Sequence, residues 1–116
     1  MSENAPVSPS KLLVVVTSLP DLEAAKGMAN ALVESNLAAC VQLMGGIQSI
    51  YRWEGKICVE QEVLLFAKTT AGRWPEISAF IQSAHPYDLP EILAYSPEQY
   101  ERQYGKWVES EVNSKT

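Results

Sequence analysis

Leu12 to Val16 is an unbroken run of branched apolar residues that ends at Thr17-Ser18-Leu19-Pro20-Asp21, the composition of a loop and a helix start. A short run apolar on both faces predicts a covered central strand, over 11–17. The period then changes. Leu22, Ala25, Ala29, Leu32 and Val33 recur at helical spacing, Asp21 and Glu23 place negative charge where the macrodipole favours it, and Asn36 can close the helix in the left-handed conformation. The pattern predicts a helix over 21–36.

Ala38 to Trp53 reads as a long strand, broken or bulged at Gly45-Gly46, and 57–69 as its hairpin partner. Gly55, in Trp53-Glu54-Gly55-Lys56, suits a type I turn closed by a glycine bulge. Trp74, Ile77, Ile81 and Ala84 share one face of a helix predicted over 71–84, with Pro75 tolerated in its first turn. His85 to Pro90 is a loop stiffened by two prolines, and 91–95 a short last strand. Ser96 as cap, Pro97 in the first turn and Gln99 closing a capping box predict a third helix over 97–111. Its face Tyr100, Tyr104, Trp107, Val108 and Glu111 should pack on something.

The order β-α-β-β-α-β plus a helix predicts an α+β, ferredoxin-like fold. Its antiparallel sheet carries two helices on one face and is open on the other. One domain is expected over 11–112, between a polar tail at 1–10, which has two prolines, and a short tail at 113–116. Sixteen residues from Ala38 to Trp53 would span about 50 Å fully extended, more than the roughly 35 Å diameter of a domain with a radius of gyration near 13 Å. The hairpin should overhang its own core with Ile50, Tyr51, Trp53 and Ile57 at its tip, and Tyr104 and Trp107 add to the apolar surface. Such a patch predicts self-association through the arm.

Charge changes the list of partners. Fourteen acidic against nine basic residues give a net charge of -5, which argues against nucleic acid and anionic membrane. The chain opens without a charged segment leading into an apolar one, and its apolar runs fall short of the ~18 residues of a membrane span. With Cys40 and Cys58 read as buried free thiols, a cytoplasmic location is expected. Neither a G-x-S-x-G elbow nor a glycine-rich phosphate loop is present, so no enzyme class is indicated.

The chemistry that remains is sparse. His85 is the only histidine, and one imidazole does not make a metal site unless other copies of the chain contribute donors. Tyr51, Trp53, Glu60, Lys68, His85, Tyr87, Asp88 and Glu91 could gather at subunit clefts around Lys68 and His85, as a sensor site for a small anion or an enzyme site for acid–base work. Equally, they could be an interface of satisfied hydrogen bonds and ion pairs.

Four segments carry a resemblance. Leu37-Ala38-Ala39-Cys40-Val41, Tyr51-Arg52-Trp53-Glu54-Gly55-Lys56, Ala67-Lys68-Thr69-Thr70 and His85-Pro86-Tyr87-Asp88-Leu89-Pro90-Glu91-Ile92, with Tyr104 and Trp107, resemble the CutA family of divalent-cation tolerance proteins over essentially the whole chain after the tail. The resemblance implies a ferredoxin-like fold assembled as a homotrimer similar to PII signalling proteins. It also implies a link to tolerance of copper and other divalent cations, without a settled enzymatic activity. It implies weak copper or other divalent-cation binding centred on His85. The copper-binding members carry a Cys where this chain has Val16, and a second His where it has Ala84.

Overall fold

Eight-residue β1, Leu12–Leu19, is buried along nearly its whole length, as a strand with apolar residues on both faces must be. In the computed structural model, which describes residues 8–113, β1 lies inside a four-stranded antiparallel sheet of order β2-β3-β1-β4. The other elements are α1 (Leu22–Glu34), β2 (Cys40–Trp53), β3 (Lys56–Thr70), α2 (Trp74–Ala84, entered through a 3₁₀ turn at Ala71–Arg73), β4 (Ile92–Tyr95) and α3 (Arg102–Asn113). Their order is the one the hydrophobic pattern predicts. Residues 1–7 and 114–116 of the expected tails lie outside the described residues. Ser8–Ser10 form a turn, and the carbonyl of Pro9 accepts the Gly72 amide at 2.9 Å.

Alternation along the strands sorts the side chains. Leu13, Val15 and Leu19 of β1 and Val63, Leu65 and Ala67 of β3 form one core with Ala25, Met28 and Leu32 of α1 and Ile77 and Ile81 of α2. Asp21 caps α1, accepting the Ala24 amide at 2.8 Å. Leu22 and Val33, read as part of its buried face, are 48% and 43% exposed, and Met28 takes the inward position.

Three local readings need correction. Glu54 and Gly55 both have positive φ (52° and 79°) and Trp53 pairs with Lys56. That is a two-residue turn of type I′, whose twist matches the strands. The third helix starts at Arg102, not near Pro97. The Tyr100 hydroxyl accepts the Leu12 amide at 3.2 Å and its ring lies over Gly105, where a Cβ would come within 2.5 Å of Cε2. Tying Tyr100 to β1 holds the preceding residues out of a helix, and Glu101 becomes the cap, accepting the Tyr104 amide at 2.8 Å. The inward stripe of α3 is therefore Gly105, Val108 and Val112, which pack α3 on β3 and β1. Tyr104 and Trp107 stay 38% and 43% exposed, and the second sheet face is not left wholly open. Finally, Cys40 and Cys58 are partly exposed free thiols, not buried ones.

β2 pairs with β3 along its length, with a bulge between Met44 and Ile47 where Gly46 adopts φ 75°. Before it, Val41 and Leu43 oppose Ala67 and Leu65 on the core side. After it, Ile47, Ser49 and Tyr51 oppose Glu62, Glu60 and Cys58. One inserted residue thus turns the odd positions of β2 to the other face. It also bends the arm, and the longest dimension is 42 Å against about 50 Å for a straight β3. The radius of gyration, 15.3 Å, exceeds the ~13 Å of a sphere-like domain of this length, as an overhanging hairpin requires.

Candidate functional site

Beyond the bulge, the face of the arm that carries Ser49, Tyr51 and Trp53 closes with the loop after α2 around a cleft of about 510 Å³. Tyr51, Trp53 and Tyr87 are its aromatic lining. Glu60, Glu62, Asp88 and Glu91 give it four carboxylates, and among the described residues no Lys, Arg or His lines it. Both oxygens of Glu62 are held. Oε1 accepts the Ser49 hydroxyl at 2.6 Å and Oε2 the Tyr87 hydroxyl at 2.8 Å, which ties the arm to the loop.

His85 anchors that loop from behind. Its Nδ1 accepts the Tyr87 amide at 3.1 Å, so Nε2 carries the proton and donates to the Ser18 carbonyl at 2.8 Å. The imidazole is buried, and burial lowers its pKa from 6.5 against the opposing pull of the Ser18 carbonyl and Glu62. Its ring sits 4.9 Å from that of Tyr87. The phenol of Tyr87 is pushed far above its usual value, first by desolvation and then by its bond to Glu62. Tyr51 is raised too, by desolvation and then by the charges of Glu60, Cys58 and Glu62. Both phenols therefore keep their protons through the neutral range and serve as donors and aromatic surface, not as bases.

The fold thus brings together Tyr51, Trp53, Glu60, Tyr87, Asp88 and Glu91 of the residues singled out in the sequence. It sets His85 behind the cleft and leaves Lys68 outside it. Lys68 lies toward the far end of β3, where it donates to Gln42 at 3.0 Å. Glu62 and Ser49 were missed. Their signal was Glu60 and Glu62 two apart in a strand otherwise rich in apolar residues, which puts both carboxylates on one face. Among the described residues no group of three His, Cys, Asp or Glu is placed to hold a metal ion. No helix there is long and apolar enough to cross a membrane.

Fold and cleft together define an α+β domain with a four-stranded antiparallel sheet, three helices, and an acidic, aromatic cleft under a projecting hairpin. The family model described as CutA1 divalent ion tolerance protein matches residues 13–111. The divalent-cation tolerance protein CutA of Thermus thermophilus is 42% identical over 82% of this chain and 92% of its own length. Protein CutA of Mus musculus is 40% identical over 91% of this chain, and chloroplastic protein CutA of Arabidopsis thaliana 34% over 98%. The chain spans 60% and 62% of the length of these last two. Among solved structures, CutA from Xylella fastidiosa superposes with a TM-score of 0.86 at 34% identity, covering 89% of this chain and 99% of that one. The periplasmic divalent cation tolerance protein CutA from Archaeoglobus fulgidus gives 0.85 at 30%, covering 88% and 99%. The chain belongs to the CutA family of divalent-cation tolerance proteins.

These relatives overturn the expectation of a cytoplasmic protein, since one is chloroplastic and another periplasmic. The physical reason is that this fold does not report its compartment. Both cysteines are unpaired and neither belongs to the core, so nothing in the architecture depends on the redox state of the surroundings.

Proposed function

We propose that the chain assembles as a homotrimer on the ferredoxin-like, PII-like plan and serves divalent-cation tolerance by binding, without catalysing a reaction. The observation that carries the assembly is the bare side of the arm. Ile50, Ile57 and Val59 continue the core-facing row of β3 and its partner positions past the last helix, at 69%, 62% and 57% exposure. Met44, Leu93 and Tyr95 are exposed on the opposite sheet face, and Tyr104 and Trp107, with ring centroids 5.8 Å apart, on α3. A monomer rarely leaves this much apolar surface in water, and arm exchange between copies covers it. Tyr51 and Trp53, at the arm tip, and Tyr104 and Trp107 are the interface residues of this reading.

Copper is the ion proposed, and His85 its contact. Both imidazole nitrogens are engaged, so a metal gains a ligand only by displacing the Tyr87 amide or the Ser18 carbonyl. That competition, with Val16 and Ala84 offering no donors, makes the binding weak. The cleft under the arm is the place for a small ligand, with Tyr51, Trp53, Tyr87 and Glu91 in contact, and Lys68, toward the other end of β3 on Gln42, has no part in it.

Native mass spectrometry with and without copper tests the reading. A mass of three subunits, with copper bound weakly in wild type and lost in His85→Ala, supports it. A mass of one or two subunits overturns the assembly, and a tight copper site that survives His85→Ala overturns the role of His85.

A further inference from the structure

We propose that the cleft under the arm takes a small organic cation, an amine with an apolar body, rather than a bare metal ion or an anion. The inference rests on the reading of the cleft as a ligand site and names the class of ligand.

Size is the first argument. About 510 Å³ is within the roughly 300–1,000 Å³ of small-molecule sites and far more than a lone ion fills. The second is charge. Four carboxylates line the cleft and, among the described residues, no basic side chain does, so an anion would be repelled and a neutral molecule would desolvate carboxylates without compensating them. The third is the surface beside the charge. Trp53 and Tyr51, 48% and 41% exposed in the single chain, line the cleft, and Tyr87 is fixed there by Glu62. Aromatic faces next to carboxylates suit an ammonium with a hydrocarbon body, through cation–π attraction and apolar contact together.

The donor geometry separates this ligand from a metal. A hard cation needs several oxygens converging within about 2.0–2.6 Å, and no three such donors converge among the described residues. Glu62 already accepts a hydroxyl at each oxygen. Each oxygen has a second lone pair, which can accept an N–H without releasing Ser49 or Tyr87. Ammonium groups make such single, directional bonds, and the network that holds Glu62 positions it before the ligand arrives.

The test is an amide NMR titration of the full chain with three probes of one shape: phenethylammonium, 3-phenylpropionate and 2-phenylethanol. Phenethylammonium should shift residues 49–62 and 87–91 saturably, with the neutral and anionic probes at least about tenfold weaker. Glu60→Gln and Asp88→Asn change exposed side chains and should fold as wild type, each weakening phenethylammonium several-fold. Equal binding of the three probes, or no shift with phenethylammonium at ten or so millimolar, overturns the proposal. If phenethylammonium is silent while copper binds through His85, this inference fails and the tolerance reading stands. If copper does not bind and phenethylammonium does, the reverse holds.

Discussion

The same two strands, β2 and β3, pass through two environments. Near Leu65 and Ala67, both fully buried, β3 lies under α1 and α2. Past Val63 the same row continues as Val59 and Ile57, and the helices have ended. In the covered region β3 pairs on both edges, with β1 from Val63 to Thr70 and with β2, whereas past Val63 it pairs with β2 alone, beyond the bulge. The covering layer differs as well, since α1 and α2 lie over the first region and not over the second. A sheet propagates by pairing, whereas burial needs a second layer. The core region is covered by this chain's own helices, and the arm's row of Val59 and Ile57 is left bare by them.

Four experiments break or sharpen that contrast. Val59→Asp puts a charge on the bare face of the arm. In the proposed homotrimer it should reduce the mass by light scattering from three subunits to one while circular dichroism still shows a folded chain. Unchanged assembly would mean that the arm is not the contact. Leu65→Ala opens a cavity on the covered side of the same strand. Urea unfolding should show a loss of about 2–5 kcal/mol, and a loss below about 1 kcal/mol would erase the distinction between the two regions. Gly105→Ala drives a methyl into the Tyr100 ring and strains its bond to Leu12. The expected cost is about 1–3 kcal/mol, with amide shifts at Leu12 and 100–105 and none along the arm.

The smallest effect is expected where the two regions join, at His85. Its folded pKa lies below 6.5, so between the two values the unfolded chain binds more protons and stability falls as pH drops below about 6.5. Above 6.5 the contribution is fully present. Urea unfolding at pH 5.5 and 7.5 should show a modest loss at the lower pH. It should shrink in His85→Gln, whose amide can still donate to the Ser18 carbonyl but does not titrate. An undiminished loss would assign the pH dependence to other groups.

Residue by residue, the elements were legible where one signal dominated. β1, α1 and the long hairpin followed from period, cap and length. α3 was misplaced because its start obeys Tyr100, whose partner Leu12 lies 88 positions away, and no local capping rule contains that contact. The cleft was half legible. Its aromatic and acidic residues stood out as types, but their convergence depends on a bulge that reverses the facing of Ser49, Tyr51 and Trp53. Lys68 looked equivalent in the sequence and is excluded because its row of β3 carries it to the other end of the sheet.

By itself, the sequence determined the order of the elements, the family to which the chain belongs, and a hairpin too long for its own core. These are properties of period, length and motif, which are local or additive along the chain. Tertiary structure alone decided that Glu62 is held by Ser49 and Tyr87, that both nitrogens of His85 are engaged, and that the bare and covered rows of β3 are one continuous row. Each depends on atoms far apart in sequence meeting at hydrogen-bond or van der Waals distance, which strand register, one bulge and helix packing fix together.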